Sequence, residues 1–244
     1  MKRAIFTIAG NEALTARFSR LRLTGDCSGI ERPGQFVDIA LPGFFLRRPF
    51  SVCDWEGERL ELIVEQAGQG TQLLRTLKTG TELDLLTGLG NGFDLDRAGR
   101  EPLLIGGGSG VSPLLGLARR LLERGCAPRV VLGFSSREDL ILMDEFFRLG
   151  LAPTVTTEDG SFGIRGRVTE AMDVPHSFFY ACGPEGMLRA VCAASPMDGQ
   201  LSFDARMGCG FGACMGCTEQ TAEGPRRVCK DGPVFDKEVL LWAD

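Results

Sequence analysis

The spacing of apolar and polar residues divides the chain into two regions of different texture. Between residues 18 and 93, short alternating runs are separated by Gly, Pro and Asp, and the clearest are Gln35 to Leu41, Arg59 to Glu65 and Glu82 to Leu86. Alternation with a period of two, interrupted by frequent turn residues, is typical of antiparallel strands. The pattern therefore predicts a small antiparallel β-barrel in this region.

From about residue 100, short apolar runs alternate with segments of helical periodicity. The predicted strands are Pro102 to Ile105, Arg129 to Phe134, Pro153 to Thr157 and Ser177 to Ala181, and the predicted helices are Val111 to Arg124, Asp139 to Leu149 and Glu185 to Ala193; one more strand, Gln200 to Phe203, is predicted after this unit, in the cysteine-rich module. This order predicts an open, mostly parallel α/β sheet with its ligand beyond the carboxyl ends of the strands. We expect an α+β multidomain chain with a barrel over 1–98, the α/β unit over 99–196 and a cysteine-rich module over 197–244.

Composition narrows the possible functions. The chain has 27 Lys and Arg against 32 Asp and Glu, a net charge of −5, which argues against nucleic-acid binding as its main task. Its single His excludes acid–base schemes that need two imidazoles. It has no uninterrupted apolar stretch long enough for a membrane span and no apolar core of a signal peptide near Met1, so we expect no membrane association and a cytoplasmic location.

Three loops have the residue types that bind phosphate groups. Arg47 to Val52 places paired cations before a Pro-fixed turn, Gly68 to Thr71 opens an apolar-periodic segment, and Gly106 to Gly110 joins a predicted strand to a predicted helix. Glycine turns at helix starts present backbone amides to anions, and Arg offers a charge-assisted fork. The third loop matches neither G-x-G-x-x-G nor a P-loop, so a tight structural turn remains the alternative to nucleotide binding. For the Arg pair, the alternative to phosphate binding is that both side chains are solvated surface charges.

The nine cysteines indicate a metal site rather than a disulfide framework, because their number is odd and no export signal is present. Cys209, Cys214 and Cys217 form C-x4-C-x2-C, and after eleven intervening residues Cys229 completes the ligand order of a plant-type [2Fe–2S] site. The intervening glycines allow backbone amides to point at the sulfurs. A zinc site with four thiolates is the alternative, although such sites usually show two C-x2-C pairs.

The order of these motifs resembles the ferredoxin-NADP reductase superfamily. The motifs are Pro33-Gly34-Gln35-Phe36, Arg48-Pro49-Phe50-Ser51, Gly68-x-Gly70-Thr71, Gly106 to Pro113 and Ala181-Cys182-Gly183-Pro184. The cysteine block together with the tail Cys229-Lys230-Asp231-Gly232-Pro233-Val234-Phe235 is more specific. It is similar to the family of electron-transfer subunits of NAD-dependent, type B dihydroorotate dehydrogenases.

This resemblance implies FAD at the barrel, NAD at the α/β unit and a [2Fe–2S] cluster in the cysteine module. It assigns Arg48 to the FAD diphosphate, Pro49 and Phe50 to the flanks of the flavin, Ser51 to its N5, and Gly70 and Thr71 to the other side of the diphosphate. It assigns Gly107, Gly108 and Gly110 to the dinucleotide, Cys182, Gly183 and Pro184 to the nicotinamide, and Cys209, Cys214, Cys217 and Cys229 to the cluster. No residue of the chain receives a catalytic acid or base role.

The implied function is electron transfer in pyrimidine biosynthesis. Electrons from the FMN of a partner dihydroorotate dehydrogenase subunit reach NAD⁺ through the cluster and FAD, because a flavin converts between one-electron and two-electron carriers. The implied assembly is a heterotetramer with two copies of each subunit. The alternatives are a flavin and iron–sulfur reductase subunit of a sulfhydrogenase or of an NAD(P)H-dependent ferredoxin reductase and, from another class, a zinc-stabilised interaction module.

Overall fold

The computed structural model describes residues 1–242, and its first unit is a six-stranded closed barrel. The strands are β1 (Lys2–Ala13), β2 (Phe18–Thr24), β3 (Phe36–Ala40), β4 (Arg48–Glu56), β5 (Arg59–Glu65) and β6 (Glu82–Leu89), in the order β1-β2-β5-β4-β3-β6. Every pairing in the barrel is antiparallel. Helix α1 (Gln69–Thr76) lies between β5 and β6.

Successive residues of a strand point to opposite faces, so every second side chain points into the barrel and fills its interior. Phe6 and Ile8 of β1, Val37 and Ile39 of β3, and Leu62 of β5 belong to one buried core. The residues between them point outward, and part of that outer surface is covered by the rest of the chain. The barrel therefore has an apolar interior and several faces on which other units pack.

The second unit is a seven-stranded sheet. Its strands are β7 (Leu103–Gly107), β8 (Arg129–Phe134), β9 (Thr154–Thr157), β10 (Ile164–Arg165), β11 (Phe179–Cys182), β12 (Gly199–Ser202) and β15 (Val234–Asp236), in the order β10-β9-β8-β7-β11-β12-β15. All neighbours are parallel except β12 and β15. Its helices are α2 (Ser112–Glu123), α3 (Met143–Arg148) and α4 (Glu185–Ala194).

The cysteine-rich segment leaves the sheet after β12 and returns to it as β15. Between these strands lie the hairpin of β13 (Thr218–Thr221) with β14 (Gly224–Arg227) and the single turn α5 (Val228–Asp231). Cys217 and Cys229 are buried in the same core as Phe179, Leu201 and Phe235 of the sheet. The segment is thus attached at both ends to the α/β unit.

Helix α2 packs on β4 and joins the barrel to the sheet. A methyl group at Gly116 would come within 2.7 Å of the carbonyl oxygen of Cys53, so the helix lies directly on the strand. Arg119 pairs with Asp54 and donates to the carbonyl oxygen of Trp55 at 2.9 Å. This contact fixes β4 relative to the carboxyl ends of the parallel strands. None of the helices in residues 1–242 has the length and apolar character needed to cross a membrane.

Candidate functional site

A cleft of about 690 Å³ opens between the barrel and the carboxyl ends of the parallel strands. Its walls include ten of the twelve residues that the sequence assigns to FAD and NAD: Pro49, Phe50, Ser51, Thr71, Gly107, Gly108, Gly110, Cys182, Gly183 and Pro184. The two motif groups are 36 or more residues apart in the chain, and the packing of α2 on β4 helps to bring them together. The fold therefore creates one shared cleft from both predicted sites.

The remaining two residues, Arg48 and Gly70, lie beside this cleft and against each other. A methyl group at Gly70 would come within 3.0 Å of Arg48 Nε. Arg48 Nη1 donates to the carbonyl oxygen of Leu46 at 2.7 Å, and the guanidinium lies over the ring of Phe44 at 5.0 Å. The structure thus brings together the Arg loop and the glycine turn at the start of α1, which are the two predicted diphosphate-binding elements.

Gly110 shows why the glycine loop needs its composition. A methyl group at this position would come within 2.3 Å of the carbonyl oxygen of Cys182 and 2.6 Å of the amide nitrogen of Gly183. Backbone atoms cannot move aside as a flexible side chain can. The 3-10 turn at Gly108–Val111 therefore packs against the end of β11, and both segments line the cleft.

Cys182 is an uncharged thiol at neutral pH. Burial raises the pKa of this thiol to about 12 and outweighs the hydrogen bond with Ser202, which lowers it. The side chain is buried at the end of β11 and lines the cleft. Such a group contributes shape and polarisability to the cleft, but no nucleophilic thiolate.

Charged residues that sequence reasoning missed also line the cleft. Arg17 donates to Glu65 at 2.6 Å, pairs with Asp139 at 3.4 Å, and joins the barrel to the loop after β8. The sequence offers no signal for this network, because each member is a single charge in a strand or loop pattern. Only the closed barrel and the docked sheet bring these residues together.

The four predicted cluster cysteines lie in two contacting pairs. The amide of Cys214 donates to Cys209 Sγ at 3.4 Å, and the amide of Cys229 donates to Cys217 Sγ at 3.4 Å. Within residues 1–242, no group of three or more His, Cys, Asp or Glu side chains surrounds a single point at metal-ligand distance. Two such pairs suit a centre in which each of two irons takes two protein ligands.

Backbone amides point at the sulfurs of this loop, as its glycines predict. The amide of Ala213 donates to Cys209 Sγ at 3.2 Å, that of Gly216 to Cys214 Sγ at 3.4 Å, and that of Cys229 to Cys217 Sγ at 3.4 Å. Burial would raise the pKa of Cys209, but hydrogen bonds led by the Cys214 amide outweigh it and lower the pKa to about 6. The loop therefore stabilises a thiolate at Cys209, which is the form that binds iron, whereas burial raises the pKa of Cys229 to about 12.

Family models match two parts of the chain. The model described as the iron–sulfur cluster binding domain of dihydroorotate dehydrogenase B matches residues 204–241, which contain all four cysteines. The model described as the oxidoreductase NAD-binding domain matches residues 104–193. These ranges coincide with the cysteine loop and with most of the α/β unit.

Solved structures confirm the predicted barrel and α/β architecture. An NADH-dependent reduced ferredoxin-NADP oxidoreductase aligns with a TM-score of 0.88 and 28% identity over 97% of this chain and 90% of that one. A ferredoxin NADP⁺ reductase from Neisseria gonorrhoeae aligns with a TM-score of 0.69 and 18% identity over 80% of this chain and 90% of that one, which shows the shared fold alone.

Curated relatives match along nearly the whole chain. The dihydroorotate dehydrogenase B (NAD(+)) electron transfer subunit of Bacillus caldolyticus is 40% identical, over 96% of this chain and 97% of its own length. The subunit of the same name from Enterococcus faecalis is 38% identical, over 98% of this chain and 99% of its own length. The chain therefore belongs to the family of dihydroorotate dehydrogenase B (NAD(+)) electron transfer subunits.

Proposed function

We propose that this chain carries electrons from the FMN of a catalytic dihydroorotate dehydrogenase subunit to NAD⁺. The observation that supports this most directly is the shared cleft, whose walls include both the predicted flavin residues and the predicted nicotinamide residues. A second redox loop, with four cysteines, is attached to the same sheet. When bound, the cluster would exchange single electrons, FAD would convert them to pairs, and NAD would exchange a hydride.

The residues that hold FAD in this proposal lie on β4 and at the start of α1. Arg48 supplies a cation and Gly70 and Thr71 supply backbone amides at the diphosphate, which is the combination that binds phosphate groups well. Pro49 and Phe50 offer apolar surfaces to the flavin, and Ser51 offers a hydroxyl near its N5. Pro49, Phe50 and Ser51 all belong to β4, and all three line the cleft.

The residues that hold NAD lie on the opposite wall. Gly107, Gly108 and Gly110 let the dinucleotide approach the backbone, and Cys182, Gly183 and Pro184 border the nicotinamide. Cys182 keeps its proton at neutral pH, so it can pack beside the ring without adding a charge where hydride moves. No side chain of the chain has to act as an acid or a base in this role.

Cys209, Cys214, Cys217 and Cys229 are the proposed ligands of a [2Fe–2S] cluster. The lowered pKa of Cys209, the arrangement of the four cysteines in two pairs and the amide hydrogen bonds to their sulfurs support this donor set. We place the cluster in a C-terminal module over residues 197–244, after an FAD unit over 1–98 and an NAD unit over 99–196. Strands β12 and β15 of this module extend the NAD-binding sheet.

The partner in this proposal is the FMN-containing catalytic subunit, in a heterotetramer with two copies of each chain. Phe211 and Met215 flank Cys214, and all three side chains are exposed. Apolar groups exposed around a redox centre are a suitable docking surface for a partner subunit. We place this complex in the cytoplasm, where nine unpaired cysteines suit the reducing conditions.

An anaerobic titration of the purified chain with NADH tests the proposal. The flavin absorbance should bleach and a reduced [2Fe–2S] signal should appear by electron paramagnetic resonance. Cys214→Ser should abolish electron transfer from the catalytic subunit, whereas Cys126→Ser, at a partly buried cysteine outside the loop, should leave it unchanged. Turnover of dihydroorotate by the isolated chain, or unchanged transfer in Cys214→Ser, would refute the proposal.

The NADH titration excludes a zinc module, and complex formation with an FMN subunit separates the proposed function from that of another reductase. The match to an NADH-dependent ferredoxin-NADP oxidoreductase favours a reductase subunit as the second candidate. That function predicts the same cofactors but reduction of a ferredoxin and no complex with an FMN subunit. A zinc-stabilised interaction module predicts a colourless protein that contains zinc and does not react with NADH.

A further inference from the structure

Asp38 is a buried carboxylate between β4, the strand with the proposed flavin residues, and the cysteine loop. It lies in β3, where its neighbours Val37 and Ile39 point into the barrel core. Its own side chain therefore points outward, yet it is only 2% exposed. Its register partner across the sheet is Pro49, which borders the proposed flavin site.

The cysteine loop covers this carboxylate. Gly210, the residue after Cys209, has a φ of +77°, and a methyl group there would come within 2.5 Å of Asp38 Oδ2. A side chain at residue 210 would therefore be strained and would displace the carboxylate. The loop and the barrel meet at this contact.

Hydrogen-bond donors do not fully compensate the negative charge of the Asp38 carboxylate. Among residues 1–242, Asp38 Oδ1 is buried without a hydrogen-bond partner. Arg47 Nη1 donates to the backbone oxygen of Asp38 at 3.3 Å, and Arg47 Nη2 pairs with Asp84 at 3.0 Å. The nearest cations thus attenuate the charge from a short distance but make no hydrogen bond to the carboxylate.

Stability alone gives no reason for this residue, since a buried carboxyl without a partner costs free energy that an apolar side chain would avoid. Burial raises the pKa of Asp38 to about 6, against the opposing field of Arg47, so the group is ionised at pH 8. A fixed negative charge in a poorly screened interior acts on any neighbouring centre that gains an electron. Charge close to an iron–sulfur cluster is one of the factors that set its reduction potential.

We propose that the carboxylate of Asp38 lowers the reduction potential of the centre held by the four cysteines, and thereby favours electron flow from that centre to the flavin. The proposal rests on the proposed function, because it requires a cluster in the loop. Reduction adds a negative charge to the cluster, and Asp38 makes that addition less favourable. Asp38 thus acts on electron transfer through its charge and makes no contact with substrate.

A redox titration at pH 8, followed by electron paramagnetic resonance of the reduced cluster, tests this role. Asp38→Asn keeps the shape and removes the charge, so the one-electron equilibrium should shift about tenfold toward the reduced cluster, which is 59 mV. Glu219→Gln is the matched control, because it removes the same charge from an exposed residue two positions after Cys217. Solvent screens that charge, so the reduction potential of the cluster in Glu219→Gln should equal that of the wild type.

Asp38→Ser is the second neutral variant, in case the amide of Asn is not accommodated. A rise in potential in either folded variant, relative to Glu219→Gln, supports the proposal. Equal potentials in the neutral variants and the control overturn it. If the wild-type chain gives no cluster signal, the proposed function itself fails, and this outcome is distinct from a wild-type cluster that is insensitive to Asp38.

Discussion

Gly110 is the single residue whose substitution should disturb the nucleotide side of the cleft most directly. We expect Gly110→Ala to weaken NADH binding strongly and to lower the free energy of unfolding by about 1–3 kcal/mol, because the new methyl group overlaps the backbone of Cys182. The checks are the rate of flavin reduction as a function of NADH concentration and a thermal melt. Gly186→Ala is the control, since it lines the same cleft and a methyl group there meets nothing within 4 Å.

Arg48 provides the corresponding test on the flavin side. Arg48→Lys keeps the positive charge but loses the planar fork that two phosphate oxygens can share. The dissociation constant of FAD should rise about tenfold or more, which corresponds to the loss of one charge-assisted hydrogen bond of about 1.5–3 kcal/mol. Fluorescence titration of the apoprotein with FAD measures it. Arg59→Lys, on the exposed end of β5, should leave FAD binding unchanged.

At the residue scale, local motifs predicted the cleft well and missed what tertiary packing adds. Ten of the twelve proposed nucleotide residues line one cleft, because glycine turns and an Arg-Pro pair have local geometric requirements that the sequence reveals. Asp38 carried one available signal, a charge between the apolar residues Val37 and Ile39 of a predicted strand. Its burial could not be predicted, because Gly210 reaches it from 172 residues away in the sequence.

At the scale of elements, periodicity placed two strands at their observed bounds and two of the three predicted helices, α2 and α4, to within one residue at each end. Strands β5 and β8 have the predicted bounds. The helix predicted over Asp139 to Leu149 is shorter, because Leu142 has a φ of 61° and confines the helix to Met143–Arg148. Strand β1 was not predicted, although it pairs with both β2 and β6 and closes the barrel. Barrel closure depends on pairing between distant strands, which local periodicity does not report.

The contact between α2 and β4 yields a prediction at this scale. Asp54→Asn removes the carboxylate that pairs with Arg119, and we expect the free energy of unfolding to fall by about 1 kcal/mol, since the pair is partly exposed. For a chain of this size that is roughly 2–4 °C in the apparent midpoint. Thermal melts measure it. Asp96→Asn removes a carboxylate that is 84% exposed and paired with Arg124, and an equal loss there would contradict the interpretation.

At the scale of the whole molecule, the cysteines differ in what their loss should do to the fold. Cys229 is 2% exposed in the core shared with the sheet, whereas Cys214 is exposed. Serine at either position removes one proposed cluster ligand, but at residue 229 it also buries a hydroxyl, which costs about 1–3 kcal/mol without a partner. Thermal melts should therefore place Cys229→Ser below Cys214→Ser. Equal midpoints would show that only ligand loss matters.

Strand β15 also has a protective role, because it is the outermost strand of the sheet and occupies the free side of β12. The chain reaches β15 only after passing through the cysteine loop and α5. If that segment came loose, the unpaired N–H and C=O groups of β12 would become a template for strands of other molecules. By keeping β15 paired with β12, the cysteine loop also prevents edge-to-edge aggregation. We therefore expect self-association during storage to be an early sign of damage to the cluster site.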